Sequence, residues 1–452
     1  LLDLNSCFMS FAASPSLALV KIRDNWLWEG RTMSDEKSGV VIVGGGHAGA
    51  MTAITLRQLG YGKDIEIIGI EPYAPYQRPP LSKEWLCSKA SWAALEIRPL
   101  EFYEKKRIRL RLGAEVRSID PIGKLVTLHD QTEVRYENLV CALGASPVVL
   151  SRSDSKLEGV LTLRDLSDAQ RMKHELERAR RLVVIGGGFI GLEVAASARQ
   201  LGLDVTLVEK AERVLARVAS PRISAYVQEK HSAQGVRTIC GLGVAKYNNV
   251  AGRVSGVVLD NGEELDCDCI VVGIGATPND SIAKLAGVEC NHGIVVDAEC
   301  RTSVPHIYGV GDCATASDDV YDPTRLRFGS RFESIAAAND QARRAAASIC
   351  GMPAATPEVP WFWSDQYDVK FQMAGSASNA DHSVVRGDAA SGAFAIFHLK
   401  NEIVTSVEAV NNAGSFVLGK SLIAKRVRVD PIRLADTNST FASVVVTGEC
   451  VQ

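Results

Sequence analysis

Residues 182–209, LVVIGGGFIGLEVAASARQLGLDVTLVE, decide the fold. The short, β-branched apolar run Leu182 to Ile185 predicts a buried strand. Gly186, Gly188 and Gly191 follow as G-x-G-x-x-G where that strand would turn into a helix. Ile190, Val194, Ala198 and Leu201 then repeat at helical spacing, predicting one apolar face. Gly202 ends the helix, Val205 to Val208 predict the next strand, and Glu209 stands at its end. In such a unit the first glycine makes the tight turn, the second admits a pyrophosphate and the third lets helix and strand pack closely. The helix N-terminus, with Phe189 and Ile190 in its first turn, offers free N–H groups to phosphate. A carboxylate at Glu209 would accept from a ribose 2′-hydroxyl and repel a 2′-phosphate, which favours NADH over NADPH. A glycine-rich turn without a ligand is the bland alternative, but here the whole strand–turn–helix–strand–acid unit is present.

The same signature occurs once more upstream. Val40 to Val43 predicts a strand, Gly44, Gly46 and Gly49 repeat the glycine pattern around His47 and Ala48, and a helix runs to about Leu59 before a strand at Ile65 to Ile68. Two fingerprints imply two dinucleotides, and a tightly held flavin with a nicotinamide is the pair with chemical use. The chain has 452 residues, too many for one ordinary core. Its 50 basic and 53 acidic residues leave a net charge of −3, which gives no hint of nucleic acid or an anionic membrane. No run approaches the ~18 apolar residues of a membrane span. Eleven cysteines contain neither Cys-x-x-Cys nor Cys-x4-Cys, so zinc and a redox-active dithiol lack support and no metal site is expected. Their scatter suits a reducing cytoplasm. Cys267 and Cys269 alternate as if on one face of a strand. Residues 1–37 read as an N-terminal extension, with Met33 resembling a start of translation and no basic residues ahead of the apolar patch.

Further motifs carry a resemblance. PYQRPPLSK (Pro75 to Lys83), Tyr136 to Pro147 with Ala142 and Gly144, Val271 to Asn279 with Gly275, Ile307 to Asp312, and WFWSDQY from Trp361 agree in order and spacing with flavin-dependent ferredoxin reductases of the putidaredoxin and rhodocoxin reductase type. The resemblance covers Val40 to about Asp436. It implies an α/β fold of two Rossmann-like dinucleotide-binding domains, for FAD and NAD, plus a C-terminal α+β interface domain. The implied boundaries are 38–149 and 274–351 for the FAD-binding parts, 150–273 for the NAD-binding domain and 352–452 for the interface domain.

By the same resemblance the first fingerprint holds the FAD pyrophosphate, Arg78 shapes the adjoining wall, and Lys83 sits beside the isoalloxazine ring. Asp312 hydrogen-bonds the ribityl chain, Trp363 lies near the flavin, and Glu193 pairs with Lys83 where nicotinamide meets flavin. For Lys83 a solvated loop lysine, and for Glu193 an ordinary first-turn glutamate favoured by the helix dipole, are the plain alternatives. The family's usual acid position is occupied by Ile70, so Glu71, one place later, is the candidate for the FAD ribose. Ser167 and Gln170 predict a capping box for a helix from Asp168 to Arg180.

The implied activity is hydride transfer from NADH to FAD, then single electrons to a separate, acidic 2Fe–2S ferredoxin serving a monooxygenase or dioxygenase. Arg325, Arg327 and Arg331, or Lys425, Arg426 and Arg428, are candidate docking cations. Two other readings stand beside it. A disulfide reductase of similar architecture is disfavoured by the missing Cys-x4-Cys. A NADH-responsive regulatory flavoprotein resembling apoptosis-inducing factor shares RPPLSK and the Lys–Glu pair.

Overall fold

Two sheets of parallel strands organise the structure, a computed structural model that describes residues 38–150, 156–317, 331–353 and 356–446. The extension at 1–37 and the candidate cations Arg325 and Arg327 lie outside the described residues. In the first sheet five parallel strands run in the order Ile108–Leu112, Ile65–Gly69, Ser38–Val43, Glu133–Cys141, Ile307–Gly309. Both faces are covered, so the central strand is continuously apolar. Val40 and Ile42 pack with Leu56, Ile67 and Tyr103 on one side, and Val41 and Val43 with Leu139 and Ile307 on the other. The helices His47–Gln58 and Ile335–Ile349 pack together on the first of these faces.

The second sheet repeats the plan with Arg237–Cys240, Asp204–Glu209, Arg181–Ile185, Cys269–Val272 and Val160–Leu161, all parallel. The chain leaves the first sheet through Ala145–Pro147 and returns through Ala276–Pro278, and these two segments pair antiparallel. A third sheet follows, antiparallel throughout, in the order Trp361–Gln366, Val369–Gly375, Ile403–Val410, Ala393–Lys400, His382–Asp388. Helix Ala413–Lys425 covers one of its faces through Phe416, Leu422 and Ile423. On the other face, Phe371, Phe394, Ile396 and Val410 share a core with Leu192, Ile223 and Val227 of the second half.

Three local expectations change. The helix before the second fingerprint spans Leu166–Arg178, and its cap is Asp165, whose carboxylate accepts from the Asp168 N–H at 2.9 Å. Because the helix begins at Leu166, Ser167 already lies inside its first turn and cannot serve as the cap. Helix Phe189–Gln200 does not have one apolar face: Val194 and Ala198 are buried, but Ile190 and Leu201 are about 40% exposed (43% and 41%). It is enclosed by its own sheet and by the third sheet, so nearly all its other sides are buried and a single-stripe reading loses meaning. Cys267 and Cys269 are both buried but join different clusters, because the strand begins only at Cys269.

Candidate functional site

Each fingerprint builds its cradle from three glycines held for different physical reasons. Gly44 and Gly186 adopt φ of +121° and +106°, and a Cβ on either would lie 2.1 Å from the Ala142 carbonyl oxygen or 2.4 Å from that of Gly273. The end of the neighbouring parallel strand therefore excludes any side chain at either position. Gly49 and Gly191 sit in their helices, where a Cβ would meet the Gly44 and Gly186 carbonyl oxygens at 2.1 and 2.0 Å. They close helix onto strand and do not line the cleft.

The middle glycines differ. Gly46 and Gly188 have ordinary φ of −82° and −78°, and the nearest protein atom to an added Cβ is 4.0 Å away in both. Nothing among the described residues requires glycine there; the space left bare opens into the cleft. Both following helices begin without a side-chain cap and without an acidic residue in the first turn, leaving free N–H groups and a positive dipole end on that space. This donor set fits a dinucleotide pyrophosphate.

Both cradles open on one cleft of about 1920 Å³, well above the roughly 300–1,000 Å³ of a single small-ligand pocket. Gly44, Gly46, His47, Ala48, Glu71, Arg78, Lys83, Ala142, Gly144, Asp312 and Trp363 line it, and so do Gly186, Gly188, Phe189, Ile190, Glu193, Glu209 and Gly275. No cysteine is among its described lining residues.

The two strand-end acids are held differently. Glu209 accepts from backbone N–H groups at both oxygens, from Gly187 at 2.6 Å and Ala211 at 2.7 Å. Its carboxylate is thereby fixed beside the second cradle. Glu71 is gripped by side chains, with the Tyr76 hydroxyl donating at 2.5 Å and Arg78 Nη2 at 2.6 Å. Each oxygen keeps a lone pair for a further donor. Arg78 Nη1 also donates to the Arg164 carbonyl at 2.7 Å, and Arg164 Nη2 pairs with Asp312 at 2.8 Å. Neither Tyr76 nor Arg164 stands out in the sequence as a site residue. Tyr76 lies inside PYQRPPLSK, whereas nothing near Arg164 marks it.

Where the two halves meet, Lys83 Nζ lies 2.9 Å from Glu193 Oε2, with the carboxylate only 3% exposed. Lys83 is no solvated loop lysine. It ends the turn Pro79–Ser82 and also donates to the Pro79 carbonyl at 3.1 Å. Glu193 lies beyond the first turn of its helix and is buried, which rules out the plain dipole reading. Burial pushes its carboxyl above the ordinary range, against the opposing pull of Lys83, Ser364 and Ser82. Ser82 and Ser364 donate to it at 2.5 and 2.6 Å. The aromatic wall is completed by Phe189 against Phe362, ring centroids 4.3 Å apart. His47 Nε2 donates to Asn339 Oδ1 at 2.9 Å, while its buried Nδ1 has no partner among the described residues, and burial lowers its pKa. Arg331 is no surface docking cation: it donates to the carbonyls of Asp312 and Ala276 and pairs with Glu333.

Two phosphate cradles opening on a shared cleft, with a buried Lys–Glu pair at their junction, define an oxidoreductase that juxtaposes two dinucleotides. Residues 38–342 match the pyridine nucleotide-disulphide oxidoreductase family and residues 361–445 the reductase C-terminal family. The chain belongs to the pyridine nucleotide-disulphide oxidoreductase family, and its cofactors are FAD and a nicotinamide nucleotide. It is 40% identical over 399 residues to a ferredoxin–NAD(P)(+) reductase of a Sphingomonas species, covering 88% of this chain and 96% of that one. Rhodocoxin reductase of Rhodococcus erythropolis is likewise 40% identical, over 88% of this chain and 92% of its own. Among solved structures, putidaredoxin reductase in its covalent complex with putidaredoxin superposes with a TM-score of 0.85 at 37% identity, covering 90% of this chain and 97% of that one.

Proposed function

We propose that this chain is an NADH-dependent ferredoxin reductase, passing a hydride from NADH to FAD and then single electrons to an acidic 2Fe–2S ferredoxin of a cytoplasmic monooxygenase or dioxygenase system. The observation that carries the reading is the meeting of both glycine cradles on one cleft, with Lys83 and Glu193 paired between them. FAD supplies the chemistry, accepting a hydride and releasing electrons singly. The protein's share is binding, alignment and exclusion of water. Residues 38–149 and 274–351 hold FAD and residues 150–273 hold NADH, an assignment supported by the return of Ile307–Gly309 to the first sheet. Residues 352–452 form the interface domain. Gly44, Gly46, His47, Ala48 and the helix that Gly49 seats take the FAD pyrophosphate. Glu71, clasped by Arg78, takes the ribose, and Asp312 the ribityl chain. Gly186, Gly188, the helix start at Phe189 and Ile190, and Glu209 take NADH, with Gly191 closing that helix on its strand. Lys83, held by Glu193, keeps a fixed positive charge beside the flavin, which favours an electron-rich ring. Trp363 and Phe362 wall the cleft against water. A basic cluster at Lys425, Arg426 and Arg428 suits an acidic partner.

The test is anaerobic mixing of the flavin-loaded protein with NADH and with NADPH in a stopped flow. Rapid bleaching of the flavin by NADH, little by NADPH, and cytochrome c reduction only with added 2Fe–2S ferredoxin are expected. A flavin that neither nucleotide bleaches quickly refutes the assignment.

A further inference from the structure

The two oxygens of Glu193 look in different directions. Oε2 takes Ser82 and Lys83 from the turn that belongs to the first half. Oε1 takes the Ser364 hydroxyl at 2.6 Å from the third sheet, and the contacts continue beyond it. Gln366 Nε2 donates to Ser364 Oγ at 3.1 Å, and Gln366 Oε1 lies 2.9 Å from Nε2 of His231, on helix Pro221–Ala233. Ser364 and Gln366 are alternate residues of one strand and so share a face. Exposure along this path is 3% at Glu193, 0% at Ser364, 6% at Gln366 and 1% at His231, so water does not substitute for any member.

The donor inventory fixes the sense of every link. An ionised Glu193 only accepts, so Ser364 spends its proton on it. Ser364 must then accept from an amide N–H, which turns the Gln366 carbonyl toward His231 and requires a proton on His231 Nε2. The other ring nitrogen, Nδ1, is buried and has no partner among the described residues. A bare lone pair there is tolerated better than an orphaned N–H. Burial also lowers the His231 pKa, consistent with a neutral ring carrying its one proton at Nε2.

We propose that His231, Gln366 and Ser364 form a one-way chain of donors that positions Glu193 as a carboxylate and through it holds the Lys83 ammonium at the hydride-transfer site. This rests on the reading of Lys83 given above. The charged groups on the surrounding elements leave Lys83 as the counterion. On the strand, Asp365 alternates onto the opposite face. On helix Pro221–Ala233, Lys230 turns outward to Asp368 at 3.0 Å. The residues of the chain are positioning residues: they touch neither cradle, yet they tie the helix of the second fingerprint, the third sheet and helix Pro221–Ala233 to a single carboxylate. Alignment within chains of this kind strengthens each successive hydrogen bond.

The experiment is the pH dependence of flavin reduction by NADH, measured by stopped flow on the flavin-loaded protein. Ser364→Ala removes one hydrogen bond to the carboxylate and is expected to move the acid limb upward by about one pH unit. His231→Phe should move it in the same direction by less, and His231→Gln, which keeps a donor at similar reach, should restore the wild-type limb. The KM for NADH should stay put in all three. Flavin-loaded Ser364→Ala and His231→Phe proteins with an unmoved limb overturn the proposal. If His231→Phe fails to load flavin, Ser364→Ala, a small deletion, decides alone. Lys83→Met separates the two levels: wild-type flavin reduction in that variant sinks the placement of Lys83 itself, whatever the chain does.

Discussion

The middle glycine of the second fingerprint offers a sharp test, because the protein itself does not need it. Gly188 has an ordinary φ of −78° and 4.0 Å of clearance for a Cβ. Gly188→Ala should therefore fold normally, with a melting temperature unchanged or slightly raised, since alanine restricts the unfolded chain by about 0.4–1 kcal/mol. The methyl group would stand where the NADH pyrophosphate approaches the helix N-terminus. Displacing one N–H to phosphate bond beyond hydrogen-bonding distance removes about 2 kcal/mol, or roughly a thirtyfold rise in Kd. Titration of NADH into the flavin-loaded variant, alongside a thermal melt, reads both quantities. Gly191→Ala is the contrast: its Cβ would lie 2.0 Å from the Gly186 carbonyl oxygen, so helix and strand must part, at a cost of about 1–3 kcal/mol in overpacking. The expected pattern is lost binding with intact stability at position 188 and lost stability at position 191. Wild-type NADH affinity in Gly188→Ala would refute the cradle argument.

Replacing Glu209 by Gln removes the charge that repels a 2′-phosphate while keeping one acceptor oxygen, and the ratio of kcat/KM for NADH over NADPH should fall at least about tenfold in steady-state assays. Lys83→Met leaves Glu193 buried without its counterion, which should destabilise the fold by about 3–5 kcal/mol in denaturant titration; Lys83→Met with Glu193→Gln should recover most of that. His47 and His231 both have pKa values lowered by burial. Unfolded, they take up protons near pH 6.5, so below that pH the unfolded state binds more protons and stability falls as acid is added. Thermal melts should therefore decline below about pH 6.5, and His231→Gln should flatten part of that decline.

Much of this architecture is legible in the amino-acid sequence. A turn that must bring a strand carbonyl within about 2 Å of a missing Cβ can only be written with glycine, so both cradles are visible in the sequence. The strand-end acid Glu209 is visible for the same reason, since its place is fixed by the unit around it. Lys83 and Glu193 came into view only through a family resemblance, because their contact joins segments remote in the chain. The clasp of Tyr76 and Arg78 on Glu71 and the pairing of Arg164 with Asp312 are equally non-local, and Arg164 carries no local signal. The helix Phe189–Gln200 misled in a different way: amphipathic reading assumes one wet face, and this helix has a sheet on either side, so its exposed apolar residues Ile190 and Leu201 invert the expectation.

The return of Ile307–Gly309 to a slot beside Glu133–Cys141 bears on how the nascent chain is assembled. At ribosomal rates of about 5–20 residues per second, the first sheet waits on the order of ten to thirty seconds with that edge unpaired. During the wait the second sheet has all its strands and can complete itself. Once it has, the paired segments Ala145–Pro147 and Ala276–Pro278 bring its two ends together, and the long excursion shrinks to a short span. The late strand then emerges next to its vacant edge, so a connection that looks entropically expensive on paper is closed by the folding of what lies between.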